Sequence, residues 1–376
     1  MIKINLEKIE KAPEDWSEIF EYREDLAKLK EKVSGIGNFE NIIVVGNGGS
    51  ITSYDAYFWA LCSKTESETV WTMDPAFLER TRRKFSRDNT VVVAISKSGN
   101  TLGQIESLSY FYDYAVVVIT DPDKGTLSEI AKKMSWRIIE HPPIGGRFSG
   151  GTSSAFVPAL LAGIDVGEVQ NGMIDGYKLK NEAFSLSKYY FELEKKGYGE
   201  IYVTCYAELL KNFENLVVQL MHESVCKDNK GQTFYFSMGP EAQHHTNQRF
   251  LGGKKNVIGT FIIVKKPSND LTVELPENVK EIDYKGSKLE IIDNLKYQDL
   301  LNAEYEGTKQ DADKNNVPNI TIEVEEITPH SVGMMVAFWH LVAFYSSKLR
   351  DVNPFDQPAV ENSKNITLDI IKEKLG

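Results

Sequence analysis

The sequence predicts an α/β protein built from two doubly wound, parallel-sheet domains of flavodoxin-like type, with helical extensions at both ends. Three observations predict it. The chain has 376 residues, too many for one ordinary domain and comfortable for two. Strand, polar loop and helix recur in succession between residues 41 and 134. A second round of the same pattern starts near residue 198.

In order along the chain, residues 1–35 carry mixed charge and read as a helical arm around DWSEIFEYREDLAKLKEKV. NIIVVG (41–46) is a short β-branched run ending in glycine, which predicts a buried strand, and YDAYFWALC predicts the helix after it. NTVVVAIS (89–96) with SGNTLGQIESLSYFY repeats the unit, and YAVVVIT (114–120) with DPDKGTLSEIAKKM repeats it again. Runs apolar on both faces, alternating with helices, describe a parallel sheet covered on both sides. Residues 36–170 form the first predicted domain and 171–197 a helical connector. The second domain, 198–350, has GEIYVTCY as a strand, ELLKNFENLVVQLMHESVC as a long helix and NVIGTFIIV as a further strand. Residues 268–325 read as strands joined by solvated loops, and TPHSVGMMVAFWHLVAFYSSKLRDV as a long buried helix. Residues 351–376 form a C-terminal loop and helix.

Composition narrows the function classes. Hydrophobic residues at 41% and charged residues at 26% suit a globular enzyme with a sizeable core. The formal net charge of -11 disfavours nonspecific binding to nucleic acid or to an anionic membrane, while leaving a local pocket free to bind an anion. Cys62, Cys205 and Cys226 are odd in number, far apart and in no metal-ligand spacing, so a reduced, cytoplasmic protein is expected. The N-terminus lacks an apolar signal core, and no stretch reads as the roughly 20 apolar residues of a membrane span.

The chemistry-bearing residues sit at the ends of predicted strands and helices. Gly46-Asn-Gly-Gly-Ser50 leaves a strand and enters a helix, where glycines allow a close backbone approach and helix amides face an anion. It matches neither the Rossmann nor the P-loop pattern, and alone it is equally a tight turn. Ser96-Lys-Ser-Gly-Asn-Thr101, after the next strand, adds three hydroxyls at another helix start. Two such loops beyond neighbouring strands of one sheet predict a phosphomonoester site. Glu223 ends an apolar helix, where the dipole disfavours a charged carboxylate, a suitable setting for a general base and equally for an ordinary surface Glu. His244 and His245 are adjacent, so they point apart and make a poor metal pair; one catalytic histidine with a structural neighbour fits better.

These segments together resemble the phosphoglucose isomerase family. Gly145-Gly-Arg-Phe-Ser149 resembles its GGRFS motif, Glu223-Ser-Val-Cys-Lys227 its ESNGK motif, and GPEAQHHTNQ its GTNGQHSFYQ segment. Phe355-Asp-Gln-Pro-Ala-Val-Glu-Asn-Ser-Lys364 is similar to FDQWGVELGK, and Thr328-Pro329 falls where the family has TP before a long helix. The order agrees from residue 46 to residue 364. The resemblance implies two SIS-type phosphosugar domains, a homodimer, and cofactor-free interconversion of glucose 6-phosphate and fructose 6-phosphate. It makes Glu223 the proton-transferring base, Gln219 a substrate contact and Arg147 the cation that steadies the intermediate. It gives ring opening to His244, in this family supplied by either subunit, and to Lys364. It places phosphate on Gly49, Ser50, Ser96, Lys97, Ser98 and Thr101. The chemistry of those residue types agrees: a carboxylate can carry the proton, a permanent cation can face an enediolate, and His with Lys can serve as an acid-base pair.

The sequence departs from the family in SKSGNT for SKTFTT, in Val225-Cys226 for Asn-Gly, in Gly-Pro-Glu-Ala before Gln243, and in Pro358 for tryptophan. Those changes surround the sugar, so hexose selectivity, including mannose 6-phosphate as a second substrate, stays open. A noncatalytic phosphosugar sensor would keep the hydroxyl loops without needing a base, an arginine and a ring-opening pair. A glucosamine-6-phosphate synthase domain would come with a glutaminase domain, which this chain does not show.

Overall fold

The computed structural model describes residues 1–61 and 64–375; Cys62 lies outside the described residues. In chain order the strands are β1 (Ile2–Ile4), β2 (Asn41–Gly46), β3 (Glu66–Val70), β4 (Thr90–Ile95), β5 (Ala115–Thr120) and β6 (Arg137–Glu140). They continue with β7 (Glu200–Cys205), β8 (Thr233–Met238), β9 (Val257–Val264), β10 (Asp283–Tyr284), β11 (Ser287–Lys288) and β12 (Asn319–Val324). The first sheet has order β3-β2-β4-β5-β6 and is parallel throughout. The second has order β1-β12-β9-β7-β8, parallel except for β1.

The central strands of both sheets are buried on both faces, and the period-two alternation of the strands assigns each face. Ile42, Val44, Val91 and Val93 enter one apolar cluster, whereas Ile43, Val45, Val92 and Ala94 enter another under the outer helices. In the second sheet Ile201, Val203, Ile258 and Ile262 join the same cluster as Ile42 and Val44, while Phe261 and Ile263 face outward onto Tyr305. The inner faces of the two sheets therefore share one continuous core. Helix Pro329–Leu349 lies within it with Trp339, Phe338 and Leu341 fully buried, each contributing roughly 1.5–3 kcal/mol of hydrophobic stabilisation. Its start is fixed by reciprocal capping: Ser331 N donates to Thr328 Oγ1 at 3.1 Å, and Thr328 N donates to Ser331 Oγ at 2.9 Å.

Three expectations need correction. The N-terminal arm is not helical throughout: it opens as β1, paired antiparallel with β12, and its α-helix spans only Leu26–Ser34. The stretch 268–325 contains an 18-residue helix, Tyr297–Lys314, whose buried face is only Tyr305, Thr308 and Ala312. That stripe is too thin to read against so many charged neighbours. Finally, Pro329–Leu349 is long and apolar enough to cross a membrane by length and composition, and 89% of its apolar window is buried inside the protein.

Candidate active site

The first sheet reverses strand order between β2 and β4, which opens a crevice at the carboxyl ends of these strands. The two hydroxyl-bearing loops flank that crevice. Gly48 turns the first loop at φ +54, and a Cβ there would lie 2.7 Å from Gln219 Nε2. Gly49 opens helix Gly49–Leu61 against the Arg147 loop so closely that a Cβ would fall 2.1 Å from Arg147 N. Ser50 follows in the first turn of that helix. In the second loop Ser96 is buried and hydrogen-bonds Thr101 Oγ1 at 3.2 Å, while its Oγ also accepts from Gly99 N at 3.2 Å. Ser98 and Lys97 are exposed, and Lys97 Nζ reaches Pro143 O at 3.3 Å. Ser96 and Thr101 thus shape the loop from inside, and Ser98 and Lys97 offer donors to the outside.

Glu223 comes from the other sheet. Helix Phe213–Val225 follows β7 and runs back to the amino edge, where His222 Nε2 accepts from Phe234 N at the start of β8 at 2.9 Å. This end of the helix abuts the first sheet's loops. Arg147 Nη1 donates to Glu223 Oε2 at 3.1 Å, and Gln219 Nε2 donates to Glu223 Oε1 at 2.9 Å. Thr52 Oγ1 lies 3.4 Å from Gln219 Oε1 and ties the pair to helix Gly49–Leu61. Arg147 is 4% exposed and Glu223 27%, so a buried cation stands behind a carboxylate with an open side. Burial lowers the Arg147 guanidinium's affinity for its proton, and the adjoining Glu223 offsets this.

Arg147 spends every N–H it has. Nε donates to Ser224 Oγ at 2.9 Å, Nη1 to Gln357 Oε1 at 2.7 Å, and Nη2 to Pro354 O at 2.6 Å and Asp356 O at 3.0 Å. Lys227 holds the same C-terminal segment through Asn353 O and the Asp356 carboxylate, the latter at 3.0 Å. Gln357 and Lys227 were not singled out from the sequence, although both stand in motifs that were: FDQ and ESVCK.

Two expected residues stand apart from this cluster. His244 ends the short helix Glu241–His244 beyond the carboxyl end of β8 and is exposed. Glu223 lies at the amino end of that strand, so the six residues of β8 separate them by on the order of 20 Å. Lys364 lies on helix Glu361–Leu375, where it is exposed and pairs with Glu361 at 2.8 Å. Among the described residues no group of three or more His, Cys, Asp or Glu side chains could hold a metal ion.

No family model matches the chain. Individual proteins do. It is 30% identical over 359 residues to a probable glucose-6-phosphate isomerase of Methanococcus maripaludis, covering 88% of this chain and 78% of that one. The chain belongs to the glucose-6-phosphate isomerase family. A glucose-6-phosphate isomerase of Methanocaldococcus jannaschii is 28% identical over 371 residues, covering 94% of this chain and 88% of the relative. Among solved structures, a hypothetical protein of Thermus thermophilus superposes with a TM-score of 0.84 at 25% identity, covering 94% of this chain and 89% of that one. The glucose-6-phosphate isomerase of Chlamydia trachomatis superposes with a TM-score of 0.76 at 19% identity, covering 96% and 76%, and shares the fold.

Proposed function

We propose that Glu223 carries the proton between C1 and C2 of an open-chain hexose 6-phosphate. The enzyme is an aldose–ketose isomerase that interconverts glucose 6-phosphate and fructose 6-phosphate. The observation that supports this assignment is the Glu223–Arg147 contact of 3.1 Å at the mouth of the first sheet's crevice. The Glu223 carboxylate takes the C2 proton, negative charge moves onto O1 of the enediolate, and the carboxylic acid returns the proton to C1. The O2 proton passes to O1, leaving the ketose. Arg147 supplies fixed positive charge beside the developing enediolate. Of its five acceptors, Gln357 is the neutral, half-buried side chain that a substrate oxygen can replace without breaking an ion pair or a backbone contact. Gly49, Ser50, Lys97 and Ser98 bind the phosphate on loops that Ser96 and Thr101 brace from inside, and Gln219 holds the base in place.

His244 belongs to this chemistry as a residue supplied by a second copy of the chain; its place at the opposite edge of the sheet from its own Glu223 supports that reading. A homodimer is therefore part of the reading. Exposed Ile366 and Ile370, one helical turn apart on the C-terminal helix, support it as apolar surface left uncovered in one chain. Lys364 on that helix opens the sugar ring together with His244. Free thiols at Cys205 and Cys226 suit a cytoplasmic enzyme.

The test is a coupled assay with glucose 6-phosphate and fructose 6-phosphate, run on the wild type and on Glu223→Gln. The variant is expected to lose about 10³-fold in kcat while inorganic phosphate still binds. Near-normal turnover would remove Glu223 from the base role.

A further inference from the structure

We propose that Lys227 is a positioning residue for the isomerisation. It clamps the strap 353–357 against Arg147 and so fixes where the guanidinium stands relative to Glu223. The proposal rests on the assignment of Arg147 and Glu223 given above.

Lys227 follows the helix Phe213–Val225 by two residues, and its side chain is only 11% exposed. Its ammonium has three donors and uses them on Ser224 O at 3.0 Å, Asn353 O and the Asp356 carboxylate. Arg147 places three more bonds on the same strap, at Pro354 O, Asp356 O and Gln357 Oε1. Residues 353–357 have no helix or strand of their own; these five bonds from two cations join the turn bonds of Asn353 and the packing of Phe355 on Phe148 in holding their path. The two cations meet at Asp356, whose carboxylate serves Lys227 while its carbonyl serves Arg147. Lys227's hydrogen bond, together with the more distant pull of Arg147, holds the Asp356 carboxyl below the usual carboxylate range.

An ammonium committed to two backbone carbonyls and a carboxylate has no donor left for substrate. Its removal acts through Asp356, whose carboxylate keeps the Asn353 Nδ2 hydrogen bond at 3.1 Å but loses its ion pair, leaving Arg147 as the neighbouring cation. Arg147 can then exchange a carbonyl partner for the stronger carboxylate bond and turn away from Glu223. A displacement of about 1 Å at a catalytic group can cost on the order of 10²-fold in rate.

The experiment compares Lys227→Met, Lys227→Arg, Asp356→Asn, the Lys227→Met/Asp356→Asn pair and Arg147→Ala in the full-length enzyme. The readouts are kcat, KM and Tm. Lys227→Met is expected to lower kcat about 10- to 100-fold while KM changes less than about threefold. Lys227→Arg restores most of the loss. Asp356→Asn alone loses less, and the double variant is faster than Lys227→Met because no stray carboxylate remains. A merely structural clamp would instead give additive losses in Tm and a raised KM, and that pattern overturns the proposal. So does a Lys227→Met enzyme with kcat within about twofold of wild type. If Lys227→Met does not fold, Lys227→Arg and Asp356→Asn decide by the same split between kcat and KM. Normal kcat in Arg147→Ala defeats the assignment of Arg147 itself; a slow Arg147→Ala beside a normal Lys227→Met defeats only the role of Lys227.

Discussion

The two sheets share a winding and use opposite edges. In the first, strand order reverses between β2 and β4, and the loops beyond their carboxyl ends carry the hydroxyls and helix starts proposed to hold the phosphate. In the second it reverses in the same way between β7 and β9, yet Glu223 sits at the amino edge, at the far end of the helix that follows β7. The second sheet's carboxyl edge bears His244 instead, exposed. Topology therefore opens a crevice in each sheet without deciding which crevice is used. That is decided by what faces it. The first sheet's crevice is closed by the neighbouring helix end with Gln219 and Glu223, where Gly48 and Gly49 admit side chain and backbone at contact distance.

Glu223→Gln is the largest expected break in this comparison, since it removes the second sheet's whole contribution to proton transfer; the expected loss of about 10³-fold in kcat with phosphate affinity kept would separate the two edges by function. His244 is next. His244→Ala should lose on the order of 10²-fold in kcat with ring-closed substrate. Mixed with Glu223→Gln under conditions that exchange subunits, it should regain activity, because one site of each hybrid then holds both Glu223 and His244. Absence of recovery in demonstrated hybrids would mean that each chain uses its own histidine, against the separation seen along β8.

The sequence displays the three central strands of the first sheet, β2, β4 and β5, and hides its short edge strands β3 and β6. NIIVVG and NTVVVAIS are apolar on both faces because helices cover both faces, and such runs have few other interpretations. It hides β1, since three residues carry no period and the partner, β12, is more than 300 residues away. It hides helix Tyr297–Lys314 because packing demands only Tyr305, Thr308 and Ala312 from it. The site shows the same division. Loops 46–50 and 96–101 can be read locally, whereas Arg147 acquires its setting from contacts 76 residues away at Glu223 and 210 residues away at Gln357. Family resemblance names Arg147 and Glu223 in separate roles; their contact, and the one with Gln357, come from the fold.

Ser98→Ala probes the first sheet's edge alone. Its hydroxyl is exposed at the loop, where it also accepts from Asn100 N at 3.3 Å, so its loss removes one donor to phosphate and little of the loop's frame. A hydrogen bond to a charged group contributes about 1.5–3 kcal/mol, so KM and the inhibition constant of inorganic phosphate should both rise tenfold or more. Unchanged phosphate inhibition would move the anion site away from this loop. The kcat of Ser98→Ala should stay near wild type, in contrast to the variants of the second sheet's edge.

The smallest effect concerns helix Gly49–Leu61, which starts at the glycine-rich loop 46–50 and packs between the two sheets. Asp55 lies inside it and accepts from Thr69 Oγ1 on β3, and burial pushes its carboxyl up to about 7. A raised folded-state value means that the folded protein holds this proton more tightly than the unfolded chain does. The stability so gained is fully present below the ordinary carboxyl value of 3.8 and is lost as pH rises through about 7. Asp55→Asn cannot titrate, so its Tm relative to wild type should climb between pH 4 and pH 8, by a few degrees for an effect on the order of 1–3 kcal/mol. Thermal melts of both proteins across that range read the difference directly, since every other titrating group cancels. A constant difference would mean that Asp55 is ionised in the fold throughout, with water or an unrecognised cation reaching it. The helix joining the two sheets would then be less sealed than its buried neighbours Tyr54, Ala56 and Tyr57 make it.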